Sequence, residues 1–234
     1  MTIKGFQGTS LLDYPGKISS LLFFGGCNLT CPFCHNPGLV LDPGQYPDHP
    51  REQILAELES RRPFIDAVVI SGGEPTLAPD LEELLQEVKN LGLCVKLDTN
   101  GLRPEVLENL LRRQLVDFVA VDIKTSLDRY PELHSRPVEA AALAGSIRLL
   151  LRPPSTSVAY EFRTTCVPGL VEERDLEAMG RAIRGARRWV LQQYVPGHAL
   201  NNSWRLLEPH STEKLHHFAA KAKNFAAEVL LRGV

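Results

Sequence analysis

No apolar run in this chain of 234 residues is long enough to span a bilayer, and the opening MTIKGFQGTSLLDYPGK holds no apolar segment of the kind an export signal needs. Secretion and membrane insertion are therefore not expected, and a cytoplasmic location is. Positive charge is not in excess either: 26 Lys and Arg are outnumbered by 28 Asp and Glu. Without a basic stripe, a long DNA or RNA partner is not expected. Cysteine is scarce and odd in number, with Cys27, Cys31, Cys34, Cys94 and Cys166. An odd count in a chain without an export signal argues against a disulfide framework and for reduced thiols. No composition break or low-complexity linker marks a second domain, so residues 1–234 read as one unit.

What is present is an alternation of strand and helix patterns. Strands are expected at Ile18–Phe24, Ala67–Ile70, Leu93–Leu97, Phe118–Ile123, Ala159–Val167 and Trp189–Tyr194, with a last one at Ala227–Leu231. Helices are expected at Glu52–Ser60, Asp80–Leu91, Pro104–Arg113, Val138–Leu151, Glu172–Ile183 and Thr212–Ala222. In Asp80–Leu91, for example, Leu81, Leu84, Leu85 and Val88 fall on one face. The Pro/Gly-rich Pro37–Pro50 reads as a loop, and the opening residues as a loop and edge strand. Alternation of this kind implies βαβ units and a parallel sheet. About six units are too few for a closed eight-stranded barrel, so an open, partial α/β barrel is expected. The C-terminal strand ends carry the polar and glycine-rich punctuation: Cys27–Cys34, Ser71–Glu74, Asp98–Gly101, Asp122–Lys124 and Tyr194–His198. Sites in parallel α/β folds are built at that end.

Cys27, Cys31 and Cys34 (C-x3-C-x2-C, in a cluster loop at 25–38) bring three thiolates together on one inorganic centre. Soft thiolates select zinc or iron–sulfur. Zinc calls for a fourth protein ligand, which His35 offers. A cubane ordinarily takes four cysteines, so three local ones leave one iron open. Spacing alone leaves the two readings nearly even. Cys94 and Cys166 lie in apolar strands, where a buried inert thiol is the default.

The Cys27-x3-Cys31-x2-Cys34 spacing, with aromatic Phe33 before the last cysteine, resembles the signature of the radical S-adenosylmethionine (SAM) superfamily. That resemblance implies a partial (β/α)6 TIM-like barrel, one [4Fe-4S] cluster on Cys27, Cys31 and Cys34, and SAM chelating the fourth iron, with Phe33 among the SAM contacts. Ser71-Gly72-Gly73-Glu74-Pro75 resembles the family's GGE turn, which implies that Gly72, Gly73 and Glu74 receive the SAM amino group. Leu97-Asp98-Thr99-Asn100-Gly101 matches a string found in glycyl-radical activating enzymes, which implies that Asp98 contacts the same group; as a sequence it is also an ordinary Asp–Asn–Gly turn. Asp122-Ile123-Lys124 resembles a segment of those enzymes. Its two charged side chains share a face, which suits Lys124 to the SAM carboxylate and Asp122 either to orienting that lysine or to bonding the ribose. Arg163, in an R-x3-VPG segment, is expected to point into the barrel and needs a partner if buried. Val195 stands where related activators have a histidine, so that role is not transferred; His198 is either its substitute or a surface histidine.

Finer resemblance, from the Leu12-Asp13-Tyr14-Pro15-Gly16 opening through VDIK and VPG, is to glycyl-radical-enzyme activators and most of all to those of anaerobic ribonucleoside-triphosphate reductase. It implies a partner glycyl radical enzyme as protein substrate and flavodoxin or ferredoxin as electron donor. The alternatives are a radical SAM enzyme with a small substrate, similar to 7-carboxy-7-deazaguanine synthase, and a zinc-stabilised binding module without catalysis.

Overall fold

Ala67–Ile70 contains no polar residue, as a strand covered on both faces requires. It forms the body of β3 (Ala67–Gly72) in the computed structural model, which describes residues 2–134, 138–154 and 157–234. Around it lie β1 (Ile3–Ser10), β2 (Ser19–Phe24), β4 (Cys94–Thr99), β5 (Phe118–Asp122), β6 (Ala159–Cys166), β7 (Ala186–Gln193) and β8 (Ala226–Arg232). The eight strands pair in sequence order, β1 antiparallel to β2 and every later pair parallel. Among the described residues no pairing joins β8 to β1, so the sheet is an open, partial barrel as expected.

The helices are α1 (Pro37–Leu41), α2 (Arg51–Arg61), α3 (Leu81–Asn90), α4 (Pro104–Arg112), α5 (Ala140–Leu151), α6 (Glu173–Ala182), α7 (Asn202–Arg205) and α8 (Thr212–Ala222). α3 shows why they form. Leu81, Leu84, Leu85 and Val88 are all buried on one face, each stabilising the fold by about 1.5–3 kcal/mol. Gly92, at φ +77°, takes the left-handed turn that ends the helix.

β1 is an edge strand, as expected of the opening residues, although two glycines and scattered polar residues in IKGFQGTS weaken its pattern. Two departures from the sequence reading have local causes. The segment read as a loop after the cysteines contains α1 and a 3-10 turn at Pro43–Gln45. The penultimate strand begins at Ala186, three residues before the expected Trp189, because Arg187 and Arg188 break its apolar run.

Alternation sorts the strand residues by face. Val68, Ile70, Val95, Leu97, Val119 and Val121 belong to the large core shared with the helices. Leu21, Ala67, Val69, Phe118 and Ala120 point inward and meet Tyr14 from the β1–β2 loop, with the Tyr14 and Phe118 rings edge to face at 5.7 Å. The opening motif thus supplies a plug at the N-terminal end of the barrel. No helix among the described residues is long and apolar enough to cross a membrane.

Candidate active site

Six strand ends meet at one cavity of about 250 Å³. Its lining includes Cys27, Cys31, Phe33, Cys34, Gly72, Gly73, Glu74, Asp98, Asp122, Lys124 and Arg163, so every residue expected at the site faces it. Thr165, Gln192 and Gln193, from the ends of β6 and β7, complete the rim.

The cysteine loop is packed from several sides. Gly73 N–H donates to Phe24 O and Glu74 N–H to Gly26 O, each at 2.8 Å, so the glycine turn lies directly against the start of the loop. A Cβ on Gly73 would stand 1.9 Å from Gly26 O, and one on Gly72 (φ +112°) 2.4 Å from Phe24 N. Only glycine fits this approach. On the other side Asn201 N–H donates to Pro32 O at 3.0 Å, and Trp204 of α7 sits 6.3 Å from the Phe33 ring. Thr30 Oγ1 and His134 Nδ1 are 2.8 Å apart.

Charges form an alternating chain across the strand ends. Lys96 Nζ pairs with Asp98 Oδ1. Arg163 donates from Nη1 to Asp98 Oδ2 at 2.9 Å and from Nε to Asp122 Oδ1 at 2.8 Å, and Lys124 Nζ lies 3.4 Å from Asp122 Oδ2. Lys124 and Arg163 line the cavity beside Asp98, Asp122 and Glu74, so it offers both a cationic and an anionic side to a ligand. Burial raises the Asp98 and Asp122 carboxyls, but the Arg163 guanidinium, with Lys96 beside Asp98 and Lys124 beside Asp122, outweighs it. Both end below the usual carboxylate range, Asp122 at about 2. Lys124 is also 5.9 Å from the Phe33 ring centroid, which ties this chain to the cysteine loop.

Glu74 behaves differently. It is buried, and burial raises its pKa against the hydrogen bonds it accepts. Oε1 accepts from Thr76 N–H (3.2 Å), Thr76 Oγ1 (2.5 Å) and Thr99 Oγ1 (2.7 Å), and Oε2 from Asn100 N–H (2.7 Å). Its carboxylate therefore brackets two strand ends as well as lining the cavity.

Lys96, Thr99 and Asn100 were not picked out by the sequence. For Lys96 the signal was its parity with Asp98, which places both side chains on the inner face. Val195 is half exposed, and neither it nor His198 lines the cavity. His35 stacks on Tyr194 at 6.5 Å.

The donor set suits a [4Fe-4S] cluster. Cys27, Cys31 and Cys34 share the cavity, while Cys94 borders the inner plug and Cys166 is buried in the outer core. A cubane takes each thiolate on a separate iron, and three cysteines of one loop can supply three. Burial pushes the Cys27 thiol up to about 11 and Cys31 up to about 12, so metal uptake must displace protons.

Residues 21–182 match the family model of the radical SAM superfamily. A Methanocaldococcus jannaschii protein named as a glycyl-radical enzyme activating enzyme is 33% identical over 236 residues, covering 99% of this chain and 96% of its own. The pyruvate formate-lyase-activating enzyme of Clostridium pasteurianum is 28% identical over 205 residues, 85% of this chain and 82% of its own. In structure, SuiB of Streptococcus suis bound to S-adenosylmethionine superposes with TM-score 0.65 at 15% identity over 91% of this chain and 52% of SuiB, a likeness of fold. With a family match across most of the chain, the thiol loop and the strand-end cavity find one explanation: this chain belongs to the radical SAM superfamily, an enzyme class that works with a [4Fe-4S] cluster and S-adenosylmethionine.

Proposed function

We propose that this chain is an activase that abstracts a hydrogen atom from a glycine of a partner glycyl radical enzyme, and that the partner is anaerobic ribonucleoside-triphosphate reductase. The observation that carries the activase reading is the match over 99% of the chain to a relative named as a glycyl-radical enzyme activating enzyme. The choice of reductase rests on the opening motif and the small size. The cavity supports a polypeptide substrate. A second groove of about 670 Å³, lined by Lys4, Phe23, Tyr46 and Arg205 among others, adjoins it at His35 and Asn36 and leads to the surface.

In this reading Cys27, Cys31 and Cys34 would each hold one iron of the cluster, leaving its fourth iron without a protein ligand. The cluster, when bound, supplies the electron that cleaves SAM reductively. The remaining work belongs to the chain's own groups. Gly72 and Gly73 bring backbone carbonyls close enough to receive an ammonium group, and Asp98, kept ionised by Arg163 and Lys96, adds the opposing charge. Lys124 and Arg163 face the carboxylate, and Asp122 holds both in place. Phe33 and the rim glutamines enclose the rest and exclude water. Flavodoxin or ferredoxin is the electron donor in this scheme.

The test is an EPR measurement on the anaerobically reconstituted protein with SAM, a reductant and a candidate anaerobic ribonucleotide reductase. An organic glycyl radical on the partner supports the reading. SAM cleavage to 5′-deoxyadenosine without any radical on glycyl radical enzymes would refute the activase assignment, and a radical on a different glycyl radical enzyme alone would refute the partner.

A further inference from the structure

Asn100 is buried at the junction of three segments, and each of its polar groups has a separate task. Its backbone N–H donates to Glu74 Oε2 at 2.7 Å, and its side-chain Oδ1 accepts from Leu102 N–H at 3.0 Å. The second bond fixes the amide orientation, because the oxygen is committed to the turn. The NH2 end must then face the cysteine loop. There Nδ2 lies 2.7 Å from Asn28 Oδ1 and 3.9 Å from Cys27 Sγ, one acceptor for each of its two protons. Cys27 Sγ also accepts from Leu29 N–H at 3.4 Å. Among the described residues no comparable N–H bond reaches Cys31 or Cys34.

We propose that Asn100 is a positioning residue that sets how readily the cluster accepts its electron, through the hydrogen bond from its amide to Cys27 sulfur. The inference rests on Cys27 being a cluster ligand. The physical basis is charge. One-electron reduction adds a negative charge shared among iron and sulfur, and an N–H dipole aimed at a ligating sulfur stabilises the reduced state more than the oxidised one. Asn100 and Leu29 are both buried, so the packing around them holds the two donors in place. The same residue is pinned to Glu74 in the glycine turn, so the SAM shelf and the cluster's ligand field share one strand end.

The test is a spectroelectrochemical titration, without SAM, of reconstituted wild type, Asn100→Ala, the isosteric Asn100→Asp and Asn28→Ala, with iron and sulfide counted per chain. The backbone bond to Glu74 survives all four forms. In Asn100→Ala the reduced-to-oxidised ratio at the wild-type midpoint should fall about tenfold, a one-electron shift of about 59 mV to lower potential. Asn100→Asp, which replaces the donor with an acceptor, should shift further in the same direction, and it carries the test if the alanine variant fails to assemble its cluster. Asn28→Ala should titrate with the wild type. A fully loaded Asn100→Ala or Asn100→Asp that titrates with the wild type overturns the proposal, as does an Asn28→Ala shift equal to that of Asn100→Ala. A wild-type chain that assembles no cluster overturns the ligand assignment itself, and the iron and sulfide count tells that failure apart.

Discussion

Replacing Gly73 with alanine tests the packing that joins the glycine turn to the cysteine loop. The added methyl carbon would lie 1.9 Å from Gly26 O, and the atom it meets is backbone, which has no rotamer to escape through. Reaching ordinary contact at 3.4 Å requires the turn and the loop to part by about 1.5 Å. That separation breaks the Glu74 N–H to Gly26 O bond and strains Gly73 N–H to Phe24 O, both 2.8 Å. Two hydrogen bonds at about 1 kcal/mol each, with overpacking of at least about 1 kcal/mol, put the loss near 3 kcal/mol. Urea unfolding of the metal-free chain measures it directly. Iron content after anaerobic reconstitution should fall as well, because Cys27 follows Gly26. Gly197→Ala is the control: a Cβ there meets nothing within 4 Å, so its effect should stay within about 0.5 kcal/mol. A Gly73→Ala variant as stable and iron-replete as the control would refute the claim that close packing, and not only access to a ligand, requires glycine at that position.

Three further outcomes follow from the fold. Tyr14→Ala removes the ring that plugs the barrel floor and should cost about 3 kcal/mol in urea unfolding; an unchanged midpoint would show that the opening motif does not close the barrel. Lys96→Met leaves Asp98 with Arg163 as its one cationic partner among the described residues and should cost about 2 kcal/mol, less than the full penalty of a broken buried pair because one cation remains; a neutral result would mean that Lys96 contributes nothing to the charge chain. His210, buried and bonded through Nε2 to Val171 O at 3.0 Å, has its pKa lowered by burial. Its contribution to stability is therefore complete above the unfolded value of about 6.5 and is lost as pH falls below it. Unfolding free energy should decline across that range, His210→Gln should flatten the decline, and an unaltered pH slope would rule His210 out as its source.

Cys27, Cys31, Cys34, Gly72, Gly73 and Asp98 were legible because their chemistry lies in short contiguous strings, each at the end of a recognisable strand. Asn100 and Glu74 show where that legibility stops. Both sit inside strings that were read, yet the sequence could not say that Glu74 spends its oxygens on Thr76, Thr99 and Asn100, since those bonds depend on how two strand ends stack. Lys96 was hidden for a related reason. A lysine in VKLDT looks like an exposed edge residue until the barrel closes over it, and inside the barrel Asp98 and Glu161 favour its charge against burial. Tyr14 lies in a resemblance motif, although its burial against Phe118 and Val69 follows from the antiparallel turn of β1 into β2. The inner face of this barrel holds few large apolar side chains above its floor, so its upper half is ordered by paired charges instead. The groups that position SAM in the proposed reading are then the same groups that hold β4, β5 and β6 in register at their ends. A substitution at Arg163, which bridges Asp98 and Asp122, should for that reason lower stability and SAM affinity together, and one that lowered affinity alone would separate the two roles.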